Sequence, residues 1–144
     1  MDPTGTAVVT AEITVENTGD LWDAKNGRIA DGAVRRMTIP DALVDTGATL
    51  LSLPRSAIEQ LGLGRVATKR IIASSGPAEA GIYESVRLTI MGRSCTMDVL
   101  EVPDGVPALI GQIPLEHLDF VVDLRNRKLT GNPAHDGEHV YELF

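Results

Sequence analysis

Aromatic side chains are nearly missing from this chain, with one Trp, two Tyr and two Phe in 144 residues. Its core must therefore be built from Val, Ile, Leu, Ala and Met. Cysteine is scarcer still: Cys95 stands alone, so no disulfide can form within the chain. Positive charge is in deficit. The 13 Lys and Arg face 20 Asp and Glu, a formal net charge of −7, which argues against nucleic acid or an anionic membrane as the main partner. No stretch approaches the roughly 18 consecutive apolar residues that a membrane span needs. Met1 to Thr6 show no basic region followed by an apolar core, so no secretory signal is visible and a cytoplasmic protein is expected. A P-loop and a dinucleotide glycine pattern are also absent.

Hydrophobic residues at 43% and charged residues at 23% are ordinary for a soluble globular chain. The length suits one domain over residues 1–144, with a core over about 7–130 and a tail from 131. Short apolar runs rich in β-branched residues alternate with turn residues, which predicts an all-β domain with one or two short helices. Strands are expected over Ala7–Val15, Ala42–Asp45, Val66–Ala73, Ile82–Met91 and Ser94–Val102. A buried strand is expected within Pro107–Gln112, and a final hairpin is expected around Arg125-Asn126-Arg127. Asn26-Gly27 signals a hairpin turn, so Arg28–Ile39 is expected as a returning strand, broken near Asp31-Gly32, with Pro40 resetting the chain. Pro54 to Gly62 reads as a helix opened by proline and closed by glycine. Ile113 to Leu118 reads as a second helix. The tail Glu138–Phe144 alternates weakly, as one more strand would.

The segment with the most chemistry is Asp45-Thr46-Gly47-Ala48, which directly follows Ala42-Leu43-Val44. A strand end fixes a carboxylate, which is what a water-activating aspartate needs. Thr46 offers a hydroxyl and a backbone N–H to hold it. Gly47 allows a tight turn and a close approach of main chain to carboxylate.

With these flanks the segment resembles the active-site loop of the retropepsin-like aspartic proteases. Two further parts of that pattern follow in order: a hairpin around Gly76 to Gly81, and Leu109-Ile110-Gly111, whose glycine lies 64 residues after Gly47. Leu50-Leu51-Ser52-Leu53-Pro54 and Phe120 to Leu129 are similar to the bacterial branch. The resemblance covers about residues 7 to 130. It implies a single-lobed closed β-barrel or sandwich and an aspartic endopeptidase without metal or cofactor. It also implies a flap over residues 74–82 that closes on an extended peptide. Asp45, Thr46 and Gly47 are then the catalytic loop. Ala48, Ser75, Gly76, Pro77, Ala78 and Gly81 are then the substrate contacts. The chain departs from viral members in Pro77 and Glu79, which make the flap less glycine-rich, and in Thr49-Leu50, where those members often carry acidic residues.

That chemistry needs two carboxylates around one water, and the chain has one Asp-Thr-Gly. Asp20, Asp98 and Asp123 lack the tight turn. A second Asp45 must come from a symmetry-related copy, so a homodimer is expected, with the chain ends as its glue. The competing class is an inactive retropepsin-fold module that dimerises or binds peptides. Phosphoryl transfer through an aspartyl phosphate is a distant third, because no D-x-D motif offers a magnesium site. Elsewhere, Cys95 in an apolar strand reads as a buried thiol and Tyr83 as a packing residue. His117 reads as a helix surface residue. His135-Asp136-Gly137-Glu138-His139 invites a metal, but no other cluster completes a shell.

Overall fold

The computed structural model describes residues 8–143, so readings on Met1–Ala7 and Phe144 lie outside the described residues. Apolar and polar residues alternate along the barrel strands, turning one side of each inward. Strand β1 (Thr10–Asn17) buries Ile13, Val15 and Asn17. The strands β2 (Arg36–Val44), β3 (Leu51–Pro54), β4 (Arg65–Ala73) and β5 (Gly76–Ile90) follow, then β6 (Arg93–Val102) and the two-residue β7 (Leu109–Ile110). Neighbours run β1-β2-β7-β3-β6-β5, and β5 pairs back with β1, so six strands close a barrel. Closure leaves few open edges. Ile13, Leu51, Leu53, Val86, Leu88 and Ile110 are fully enclosed at its centre.

Strand β5 is longer than the sequence suggested. Its second half belongs to the barrel, while residues 76–81 pair only with β4 as a projecting hairpin. The expected link over 74–81 therefore shrinks to the two-residue turn Ser74-Ser75, since Ala73 already pairs with Gly76. Proline does not interrupt β2. Pro40 and Asp41 together oppose Glu12 in a bulge, where a missing N–H is tolerated.

The hairpin expected at Asn26-Gly27 does not form. Residues Thr18–Lys25 are a helix (α1), with Asn26 as its C-cap. Asn17 starts it, because its side chain accepts the Asp20 N–H and donates to the Leu61 carbonyl. Asp20 is buried and takes three hydrogen bonds from Arg35, from the backbone N–H, Nε and Nη2. The guanidinium holds its carboxyl at about 2. This clasp replaces the predicted returning strand, and β2 begins only at Arg36.

The other two helices lie where expected. Helix α2 (Arg55–Leu61) follows Pro54 and ends at Gly62 in a left-handed conformation. Asp104, from the turn after β6, accepts the Ser56 N–H at its start. Helix α3 (Gln112–His117) leads into the hairpin of β8 (Phe120–Asp123) and β9 (Lys128–Gly131). No helix among the described residues is long and apolar enough to cross a membrane.

Residues 138–143 form no strand. Asp136 and Gly137 take positive φ after a short 3-10 turn, and the tail folds over the end of α3. Asp119 organises it, pairing with His135 Nδ1 at 2.6 Å and accepting the Val140 N–H at 3.1 Å. His139 instead contacts the His117 carbonyl at 3.2 Å. Among the described residues, no group of three or more His, Cys, Asp or Glu converges as a metal shell.

The Asp119–His135 bond draws the imidazole pKa up and the carboxyl pKa down. A raised histidine contributes stability fully below its ordinary 6.5 and loses it as pH rises through the higher folded value. A lowered aspartate contributes above its ordinary 3.8 and loses it as pH falls through the lower folded value. The pair therefore stabilises most between these two ordinary values. The melting-temperature difference between the parent protein and His135→Gln should be largest there and shrink on either side. A difference independent of pH from 3 to 9 would contradict this assignment.

Candidate active site

The Asp45 loop connects β2 to β3, and β7 slots between those two strands. It runs parallel to β2 and antiparallel to β3. The ladder continues past the strand end, because the Asp45 N–H donates to the Ile110 carbonyl at 2.9 Å. The main chain then turns, with the Ala48 N–H on the Asp45 carbonyl at 3.0 Å. Inside this turn the Gly47 N–H donates to Asp45 Oδ1 at 2.9 Å. A half-buried carboxylate is thus fixed at both its backbone and its side chain.

Gly47 holds the carboxylate, and no hydrogen bond from Thr46 to it occurs among the described residues. The Thr46 side chain is exposed beside it. Gly47 does not use the left-handed backbone expected of a turn glycine. A Cβ there would sit 3.2 Å from Asp45 Oδ1, so the missing side chain serves the close approach.

Gly111 has a spatial reason of its own. Its φ of −87° suits any residue, but an added Cβ would meet the Thr49 and Ala48 carbonyl carbons at 2.7 and 2.8 Å. Without that Cβ, α3 packs directly on the loop. Gly111 donates to the Leu50 carbonyl at 3.0 Å, Gln112 to Ala48 at 2.8 Å and Ile113 to Thr49 at 3.0 Å. The first N–H groups of α3, which have no partner inside the helix, are satisfied by the loop carbonyls. The Asp45–Gly47 loop and Gly111, 64 residues further along the chain, form one hydrogen-bonded unit.

In front of Asp45 lies an open cleft of about 1430 Å³ between the loop, the end of β6 with the turn after it, and the projecting β4–β5 hairpin. Ala48, Ala78 and Gly81 line it together with Asp45 and Gly47. Ser75, Gly76 and Pro77 sit at or beside the hairpin tip, outside that lining. The cleft is walled on one side by a polar group that the sequence did not disclose. Glu101 accepts from Arg55 Nε at 2.6 Å and from the Tyr83 hydroxyl at 2.8 Å. Arg55, then Tyr83, holds the Glu101 carboxyl below the usual range, while the hydrogen bond to Glu101 pushes the Tyr83 phenol up. Tyr83 also packs on the core. No local motif marks this trio, because its members come from three separate elements.

The remaining candidates are elsewhere. Cys95 is buried in β6, and burial pushes its thiol pKa up, which disfavours the thiolate. His117 is exposed on α3, edge-on to Tyr141.

No curated protein matches the chain. A family model described as aspartyl protease matches residues 26–113, more than half of the sequence. The matched span contains the Asp45 loop, the hairpin over the cleft and the Gly111 junction, and the chain belongs to the retropepsin-like aspartyl protease family.

Proposed function

We propose that this chain is an aspartic endopeptidase that works as a homodimer, with one Asp45 from each subunit holding the attacking water. The observation that carries this reading is the Asp45 carboxylate itself. It is fixed by the Gly47 N–H at the edge of a cleft large enough for an extended peptide, and the chain supplies one such loop. The exposed Thr46 beside it suits a face that a second subunit covers.

In such a dimer one carboxylate takes a proton from the water as it attacks the peptide carbonyl. The other, protonated, donates to the carbonyl oxygen. Two neighbouring carboxylates do not both ionise readily, so one shared proton supplies both states. Collapse of the tetrahedral intermediate passes a proton to the leaving amine and restores the pair. No cofactor enters these steps. The substrate is an extended segment that contacts the hairpin and the loop in strand fashion, with Ala48, Ala78 and Gly81 as its nearest backbone neighbours. Ser75, Gly76 and Pro77 complete the contact if the hairpin tip bends toward the cleft. A cytoplasmic setting belongs to the same proposal and agrees with a single, buried cysteine.

The test is cleavage of a random peptide library from acidic to neutral pH, with each product sequenced. Internal cuts that depend on the folded protein are expected. A library left intact at every pH would overturn the assignment.

A further inference from the structure

The chain is acidic as a whole, yet β4 carries Arg65, Lys69 and Arg70 with no acidic residue in its nine positions. None of these three is ion-paired among the described residues. Their positions on the hairpin are not equivalent. Opposite residues of an antiparallel pair share a face, and successive residues alternate. Lys69 lies opposite Ala80, Ile71 opposite Ala78 and Ala67 opposite Ile82. Arg70 lies opposite Glu79 on the reverse face, whose Ile72 is 85% exposed. On Lys69's face Ile71, Ala73 and Ala80 are half-buried and Ile82 is buried. This is the less exposed side of the hairpin. Between Ala67 and Ala73 it bears only small or apolar side chains apart from Lys69, which lines the same cleft as Asp45, as Arg65, Arg70 and Glu79 also do.

Glu79, which also lines the cleft, lies opposite Arg70 on the reverse face. Glu101 is engaged by Arg55 and Tyr83, and Asp104 by the Ser56 N–H. We infer that Lys69 selects substrates, so that the preferred peptide carries an Asp or Glu side chain where it passes under the hairpin, flanked by small or apolar residues. An ammonium on an apolar ribbon gains an ionic partner there, while a substrate lysine meets like charge. This rests on the peptide-binding half of the proposed function and not on hydrolysis.

Binding to Asp45→Asn protein tests it without relying on catalysis. Fluorescent peptides of one length, with apolar flanks, carry Glu, Gln or Lys at a single position that is moved along the chain. At one position the Glu peptide should bind at least about fivefold tighter than the Lys peptide at low salt, and high salt should narrow the gap. Adding Lys69→Glu should reverse the order. Adding Arg125→Glu, an equal charge change in the exposed β8–β9 turn, should leave it as it was. An order unchanged by Lys69→Glu, or no measurable binding of any peptide, overturns the inference. The same peptides offered to protein with Asp45 intact separate the two proposals. Lys69-dependent binding without cleavage would sink the hydrolytic reading alone. Cleavage indifferent to charge at every position would sink this one alone.

Discussion

Asp45→Asn should abolish peptide hydrolysis while leaving the fold in place. The amide keeps an Oδ1 that can still accept the Gly47 N–H, and it fits the same space, so the loop has little reason to move. What it loses is the ability to take or share a proton. In a homodimer the substitution strikes both halves of the pair at once. General acid–base groups contribute roughly 10²–10⁴-fold, so kcat should drop by at least that factor with the melting temperature nearly unchanged. Loss of activity together with unfolding would say only that the loop is structural. Undiminished activity in a folded Asn variant would remove Asp45 from the chemistry altogether. An inactive module that only binds peptides predicts a third pattern, in which neither the parent nor the variant cleaves and both bind alike.

The second large effect is expected at Gly111, which does not line the cleft. A methyl group there meets the carbonyl carbons of Ala48 and Thr49 at distances that real Cβ atoms do not show. The obstacle is main chain, not the end of a flexible side chain, so either the Asp45 loop or α3 must shift. Overpacking a well-packed site costs roughly 1–3 kcal/mol. Three backbone hydrogen bonds between the loop and the start of α3 are also at stake, which puts Gly111→Ala at the upper end, about 3 kcal/mol. Denaturant unfolding measures that loss directly. Activity should fall further than stability explains, because the displaced loop carries the carboxylate. Were Gly111→Ala as stable and active as the parent, the loop–helix junction would not hold the site in place.

Much of this architecture was legible because local chemistry and the final fold agree. Pro54 and Gly62 bracket α2 as proline and glycine should, and the strand expected over Ser94–Val102 forms as Arg93–Val102. The Asp45 loop and the Gly111 strand stood out in sequence, and the structure adds that they are hydrogen-bonded to each other. Helix α1 was hidden behind Asn26-Gly27, a dipeptide that turns hairpins and here ends a helix. The usable signal was upstream, in Asn17 with Asp20 three residues later, which matches a helix N-cap. Its partner Arg35 lies fifteen residues on, and no periodicity points there. The tail misled for a related reason. Weak alternation in Glu138–Phe144 suggested pairing, but Asp119 and His117 draw it across α3. Glu101, Arg55 and Tyr83 show the same limit at the cleft, since only the barrel brings them together.

Diluting the active protein while recording both its mass and its specific activity puts the shared catalytic centre to the sharpest test. If each subunit lends half of the machinery, turnover per subunit must decline at the concentrations where dimers come apart. Restoring the concentration must bring it back. A monomer at full specific activity would contradict the account at its root.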